Sequence, residues 1–341
     1  MGFKLKLDIY QFSLYRILER RHLRNGATTQ FKTERDPVRF EEYARRIMPG
    51  VNETNYMSTI LQDFMRDFNN TFALNDSETQ GVTITSSEHN GFNSHDNTIW
   101  GQFKGGTTGI QREIYDRGNA QDPTGEIKMD DISSVPYFFE IWMPLDSDDG
   151  YLFVQSYTSL TCATAFRNQL GKYFISKDYK PIWNKRIPKH YIDNYLRNSV
   201  IKGIRINYGK PEVPENAEDG ITTPLRYAHK SIMLDQFSIP FESIANVLGF
   251  KHDVKEMLEN IDIDVPEDEK DIKILYTDDK GTSASATMND IETILPNIIL
   301  DEDLLNQETQ LPKWDDLHSF IDGLLSEIKT EIGYTPHEIE S

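Results

Sequence analysis

The sequence predicts an α+β protein of two domains: an N-terminal domain with a mixed or antiparallel sheet and packed helices, and a smaller C-terminal α+β domain. Three observations lead there. The 341 residues are about twice the usual domain length. Strand-length apolar runs alternate with helix-spaced apolar stripes over the first 210 positions. An acidic stretch at 211–224 with Pro211, Pro214 and Pro224 then separates two regions of different composition and reads as a linker. The expected domains are therefore 1–210 and 225–341.

In chain order, residues 3–17 alternate apolar and polar, as a half-buried strand does. Asp36-Pro37 followed by Phe40, Tyr43, Ala44 and Ile47 predicts a short helix ending near Pro49-Gly50. Tyr56, Ile60, Leu61, Phe64 and Phe68 recur at helical spacing, and Gly81–Thr85 reads as a strand. Ile99–Lys104, a turn at Gly105, Gly106 and Gly109, and Ile110–Tyr115 suggest a hairpin. The clearest hairpin joins the apolar run Pro136–Pro144 to Tyr151–Tyr157 through Asp146–Gly150, and strands so apolar belong in the middle of a sheet. Leu160, Ala163, Phe166, Leu170 and Phe174 mark a helix; 188–198 reads as another, and Val200–Tyr208 as a strand. Short helices are expected at 241–248 and 254–258, a hairpin at 272–277 and 283–288, and a closing amphipathic helix at 315–332.

Composition narrows the function classes. A single cysteine, Cys162, excludes an internal disulfide framework and multi-cysteine metal sites. No stretch approaches 18 uncharged apolar residues, and Lys4, Lys6, Asp8 and Arg16 interrupt the first strand, so neither membrane insertion nor a secretory leader is expected and the chain reads as cytoplasmic. Gly2 invites a myristoylation reading, which Lys6 opposes by standing where Ser or Thr belongs. The net charge of −19 argues against a nucleic-acid partner as a whole-chain figure. That charge is segmented, however: residues 1–46 carry +5, 47–166 carry −12, 167–210 carry +9 and 211–341 carry −21.

The basic block 167–210 interleaves its cations with Tyr173, Phe174, Tyr179, Trp183, His190, Tyr191 and Tyr195. Cations contact phosphates and exposed aromatics stack on bases. The expected nucleic-acid contacts are Lys185, Arg186, Lys189, Arg197, Lys202 and Arg205, with Arg20, Arg21 and Arg24 as a second cluster. The competing account makes the aromatics core and the cations their solvated neighbours.

Several other constellations contain residue types that can carry chemistry. Glu126-Ile127-Lys128 has the Glu-x-Lys form of a restriction-type nuclease core, with Asp116 or Asp122 as the second metal-sharing carboxylate; the surrounding residues read as a hairpin and a loop, which disfavours it. His89, His95, Asp96 and Glu88 fall in a polar loop without the helical pairing that preorganises metal ligands. Asp146–Gly150 departs from a calcium loop in the place of its glycine and in having Tyr157 at position twelve. Gly101, Gly105, Gly106 and Gly109 lack the Gly-Lys-Ser/Thr ending of a P-loop. Cys162, at the start of a helix, can be lowered in pKa there, but a buried structural cysteine is the expected outcome. No catalytic residue, cofactor or metal is expected.

The run Ile99-Trp-Gly-Gln-Phe-Lys-Gly-Gly, Tyr115-Asp, Pro136-Tyr-Phe-Phe-Glu-Ile-Trp-Met-Pro, Gly150-Tyr-Leu-Phe-Val-Gln-Ser, Ile187-Pro-Lys-His-Tyr-Ile-Asp-Asn-Tyr-Leu and Ile201-Lys-Gly-Ile-Arg-Ile resembles an uncharacterised bacterial family associated with mobile elements and phage-defence loci, over roughly 99–208. The segment Ile239-Pro-Phe-Glu-Ser-Ile-Ala-Asn-Val-Leu-Gly-Phe through Met257-Leu-Glu-Asn-Ile-Asp-Ile-Asp-Val resembles RexA-like sensors of the Rex phage-exclusion system. The resemblance implies a non-enzymatic homodimer that binds double-stranded DNA or a phage nucleoprotein and signals to a separate effector protein. It carries over no catalytic motif, and the acidity of 211–341 departs from it. The alternatives are an acidic protein-binding module without DNA contact and a metal-dependent nuclease using Asp116, Glu126 and Lys128.

Overall fold

A computed structural model describes residues 3–22, 29–68, 70–85, 87–191, 198, 200–208, 231–240, 255–256, 258–263, 271–277, 283–287 and 298–335. The protein is α+β and divides into two compact units, Met1–Arg186 with Asn297–Ser341, and Ile187–Pro296. In chain order the elements are β1 (Leu5–His22), β2 (Thr29–Thr33), α1 (Phe40–Ile47), α2 (Tyr56–Asp67), β3 (Ala73–Leu74), β4 (Gln80–Ile84), β5 (Gly91–Asn93), β6 (Thr98–Thr107), β7 (Arg112–Asp116), β8 (Asn119–Ile127), β9 (Ser133–Trp142), β10 (Asp149–Tyr157), α3 (Ala163–Ser176), β11 (Tyr179–Lys185), β12 (Val200–Asn207), β13 (Ser231–Pro240), β14 (Ile272–Thr277), β15 (Ser283–Thr287), β16 (Ile298–Ile299) and α4 (Trp314–Glu331).

An antiparallel sheet in the order β11-β1-β10-β9-β6-β4-β3, joined by β2, β5 and β16, organises the first unit. Its middle strands are buried on both faces, so β9 and β10 read as continuous apolar runs rather than alternating ones. One face presents Phe12, Phe103 and Phe139 to α1, α2 and α3. Phe12 meets Phe40 at 5.5 Å and Phe174 at 5.7 Å, and Phe166 meets Phe103 at 4.2 Å and Phe139 at 4.9 Å. Each such buried ring contributes about 1.5–3 kcal/mol by burial, and ring pairs add about 0.5–1.5 kcal/mol. The opposite face carries Trp100, Phe138, Glu140 and Trp142, whose pairings Trp100↔Glu140 and Thr98↔Trp142 fix their common side. Helix α4 covers this face with Leu317, Ile321, Leu324, Leu325 and Ile328, all buried.

The division of the chain differs from the expected 1–210 and 225–341. Strand β16 pairs with β1 through Lys6↔Ile299 and Leu7↔Ile298, and α4 packs on the first unit's sheet. Strand β12 pairs with β13 and β14 in the second unit. A sheet apolar on both faces needs a cover on each, and α4 supplies the second one from far along the chain. The expected linker 211–224 lies outside the described residues, as do the helix at 241–248 and most of the one at 188–198; of the short helix expected at 254–258, Lys255, Glu256 and Leu258 are described and helical.

Two local expectations are corrected. Gly105 and Gly106 sit inside β6 rather than in a turn, because β9 and the start of α3 approach too closely for a side chain: a Cβ on Gly106 would lie 2.0 Å from the Ser133 carbonyl oxygen, and one on Gly105 2.9 Å from Cys162 Sγ. Consequently β6 pairs with β9, β4 and β5, and β7 pairs instead with β8 as an exposed hairpin. The stretch through Asp122-Pro123-Thr124-Gly125, read as a loop, is part of β8. Other elements fall where periodicity places them: α1, α2, α3 and α4, the β9–β10 pair with Tyr151↔Trp142, and the β14–β15 pair.

Candidate functional site

The second unit's antiparallel sheet runs β13-β12-β14-β15. Ile204, Ile206, Ile272 and Ile274 are buried on one face. Alternation therefore turns Arg205 and Lys273 to the other, where the register sets them directly opposite each other, with Met233 on Arg205's far side. Arg205 is exposed and Lys273 half-buried, and neither has an ion pair among the described residues. Lys202, exposed at the register shift between Ile201 and Gly203, donates to Ser238 Oγ at 2.9 Å. Asp235 shares the face with Arg205, one pair along at Gly203, and makes no ion pair with it.

The remaining expected contacts fare differently. Arg20 donates to the Ile175 carbonyl and to Asp178, both at 2.6 Å, and Arg21 forks onto Glu19 at 2.8 and 3.0 Å, so both are neutralised locally. Arg186 pairs with Glu331 at 3.1 Å, tying the chain after β11 to the end of α4. Lys185 ends β11 with an exposed side chain, and partial desolvation of its ammonium, opposed by Asp8 and aided by Lys6, lowers its pKa. Lys189 is exposed; Arg24 and Arg197 lie outside the described residues. Arg20, Arg21, Lys185 and Arg186 belong to the first unit, and Lys189, Lys202 and Arg205 to the second. Tyr173, Phe174 and Tyr179 are core residues, and Trp183 packs on Phe12 at 5.0 Å. Those aromatics are therefore not open stacking platforms, because the sheet and α3 use them to fill the interior.

The Glu-x-Lys constellation is not assembled. In the β7–β8 hairpin Glu126 lies opposite Glu113, while Asp116 lies opposite Asn119 at the turn end. Three strand residues therefore separate the register positions of Asp116 and Glu126, about 10 Å at the usual rise. Asp116, Asp122, Glu126 and Lys128 are exposed. Cys162 is buried, and burial raises its thiol pKa, the opposite of an activated thiolate. His89 packs against Trp314 at 5.5 Å, and Asp96 faces Lys329 at 3.9 Å.

A titratable cluster that sequence reading passed over lies where α4 crosses β9. Glu140 is fully buried, and neither carboxylate oxygen has a hydrogen-bond partner among the described residues. His318 Nε2 stands 3.6 Å from Glu140 Oε2 and 3.7 Å from Asp322 Oδ2. His318 and Asp322 are one helical turn apart and so share a face of α4. Trp100, at 4.4 Å, and Phe138, at 5.7 Å, flank the imidazole. Burial, reinforced by the charge of Asp322, holds the Glu140 carboxyl well above the usual range, with Lys329 pulling the other way. Two sequence signals pointed here: Glu140 is the one charge in the run 136–144, and His318-x3-Asp322 has helical i, i+4 spacing.

No helix among the described residues is long and apolar enough to cross a membrane. The structure thus defines an antiparallel α+β protein with a partly cationic sheet face in one unit and, in the other, an acid–histidine cluster built round the buried Glu140. Comparison with protein-family models, curated proteins and solved structures finds no match to this chain.

Proposed function

We propose that the protein is a non-enzymatic antiviral sensor that binds the phosphate backbone of duplex DNA and signals to a separate effector protein. The observation that supports this reading is the opposition of Arg205 and Lys273 on the solvent face of the β13-β12-β14-β15 sheet. Like charges directly opposed across a ladder are destabilising, on the scale of about 0.2–1 kcal/mol. The arrangement therefore works against stability and is relieved when an anion lies over the pair. Lys202 extends the positive face along β12. The effector and the homodimer rest on the resemblance to RexA-like sensors, and the cytoplasmic setting on the absence of an uncharged apolar run in the sequence, not on geometry.

Three phosphate contacts from Lys202, Arg205 and Lys273 correspond to a slope of about −2.7 in log affinity against log salt, or about a 40-fold loss of affinity between 50 and 200 mM salt. Fluorescence anisotropy on a labelled duplex measures it. Arg205→Glu/Lys273→Glu is expected to abolish binding, while Lys273→Glu alone weakens binding and leaves the melting temperature unchanged or slightly raised. Wild-type binding by the double variant, or no binding by wild type at 50 mM salt, would overturn the reading in favour of the acidic protein-binding module.

A further inference from the structure

We infer that Glu140, His318 and Asp322 form a binding site for one divalent transition-metal cation of the zinc class, clamped between β9 and α4. The inference is independent of DNA binding, since all three residues belong to the first unit.

Geometry carries it first. One ligand atom from each residue can be chosen so that all three lie within 4.8 Å of one another, and the two histidine–carboxylate distances are 3.6 and 3.7 Å. Those separations are too long for hydrogen bonds. They are close to the spacing of ligand atoms round a four-coordinate ion: bonds of about 2.0–2.1 Å at tetrahedral angles place neighbouring donors about 3.3–3.5 Å apart. The two histidine–carboxylate separations need shorten by only a few tenths of an ångström, and the two carboxylates, within 4.8 Å of each other, close on the ion by side-chain rotation of the half-exposed Asp322.

The second argument is the state of Glu140. A carboxylate buried without a hydrogen bond is among the costliest groups a protein can hold, and such groups are normally paired or bound to metal. The nearest ammonium does not serve it. Lys329 has Asp96 at 3.9 Å and lies over the Trp142 ring at 5.2 Å, with no oxygen of Glu140 within ion-pair distance. Asp322 adds a negative charge beside it, which makes ionisation of Glu140 costlier still while no cation is bound. A divalent cation displaces the Glu140 proton to solvent, balances the charge of both carboxylates and gives Glu140 the bond it lacks.

Donor chemistry selects the ion class. One imidazole with two carboxylates suits zinc, and Mn²⁺ or Fe²⁺ less strongly, rather than an all-oxygen Mg²⁺ or Ca²⁺ site. Trp100 and Phe138 fix the plane of the His318 ring. Side-chain exposure of 25% at His318 and 55% at Asp322 leaves the cluster open on one side, so a bound ion keeps a position for water.

The test uses the full chain, stripped with a chelator and titrated with ZnCl₂ by isothermal calorimetry, with Co²⁺ as a spectroscopic probe. One equivalent is expected to bind, to raise the melting temperature, and with Co²⁺ to give the visible absorption of a low-coordinate ion. Asp322→Asn alters a half-exposed side chain and keeps the fold. It is expected to weaken Zn²⁺ binding by more than the roughly 10–100-fold that loss of an outer-shell partner costs, and Glu140→Gln to remove the site. His95→Ala, a control at an exposed histidine outside the cluster, is expected to bind as wild type does. Absence of saturable binding at millimolar zinc, unchanged affinity in Asp322→Asn, or loss of binding in His95→Ala would overturn the assignment.

Discussion

Ile321→Ala tests whether α4 closes the sheet of the first unit. Ile321 is 0% exposed, in the middle of the buried stripe of a helix whose His318 and Lys329 lie against Phe138 and Trp142 of β9. The substitution removes three carbons, worth about 2.4 kcal/mol of transfer energy at about 0.8 kcal/mol each. A residual cavity of some 40–60 Å³ adds about 1–1.4 kcal/mol, for a total of about 3–4 kcal/mol. The tryptophans provide the assay, because Trp100, Trp142, Trp183 and Trp314 all lie in the first unit and are the four of the chain. Urea unfolding followed by tryptophan fluorescence is expected to show the midpoint falling by about 1 M, taking a slope of about 3 kcal/mol/M. Ile332→Ala, at an exposed position just beyond the same helix, is expected to stay within about 0.5 kcal/mol of wild type. An unmoved tryptophan midpoint in Ile321→Ala would refute the packing and restore 225–341 as a domain of its own.

Gly106→Ala forces a Cβ to within 2.0 Å of the Ser133 carbonyl oxygen, and an overpacking cost of about 3 kcal/mol or more is expected in the same urea assay. Arg186→Ala, which breaks the pair with Glu331, is expected to cost about 1–2 kcal/mol after allowance for its partial exposure, whereas Lys185→Ala changes thermal stability by less than about 0.5 kcal/mol. Alkaline stability follows from Tyr157, whose phenol burial pushes up to about 12 from 10.0. Its contribution is complete below pH 10 and falls between pH 10 and 12, where the unfolded chain ionises first, by about 1.4 kcal/mol per pH unit. Circular dichroism melts across that range, compared with Tyr157→Phe, read the difference; equal alkaline loss in the two proteins would assign it elsewhere. Plasmid incubated with the protein and Mg²⁺ or Mn²⁺ is expected to remain intact, since Asp116 and Glu126 sit apart on an exposed hairpin; nicking lost in Glu126→Ala but kept in Glu113→Ala would revive the nuclease reading.

The α+β class and the strongly periodic elements are legible in the local pattern of residues. Helices at Phe40–Ile47, Tyr56–Asp67, Ala163–Ser176 and Trp314–Glu331 announce themselves because their apolar residues recur every three or four positions. The β9–β10 pair does so because an apolar run, an Asp-rich turn and a second run are all local signals. Pairings between strands distant in sequence, and what covers each face, emerge only in the folded chain. Gly105 and Gly106 look like a turn to any local rule, and only the closeness of Ser133 and Cys162 shows that they are strand residues pressed against neighbours. Arg205 and Lys273 are 68 positions apart, and antiparallel register is what places them side by side. Glu140, His318 and Asp322 are brought together by the same kind of long-range event. The two-sided apolar sheet must bury its second face, the amphipathic C-terminal helix is the segment that does so, and burial of that face carries a carboxylate to an imidazole some 180 residues away.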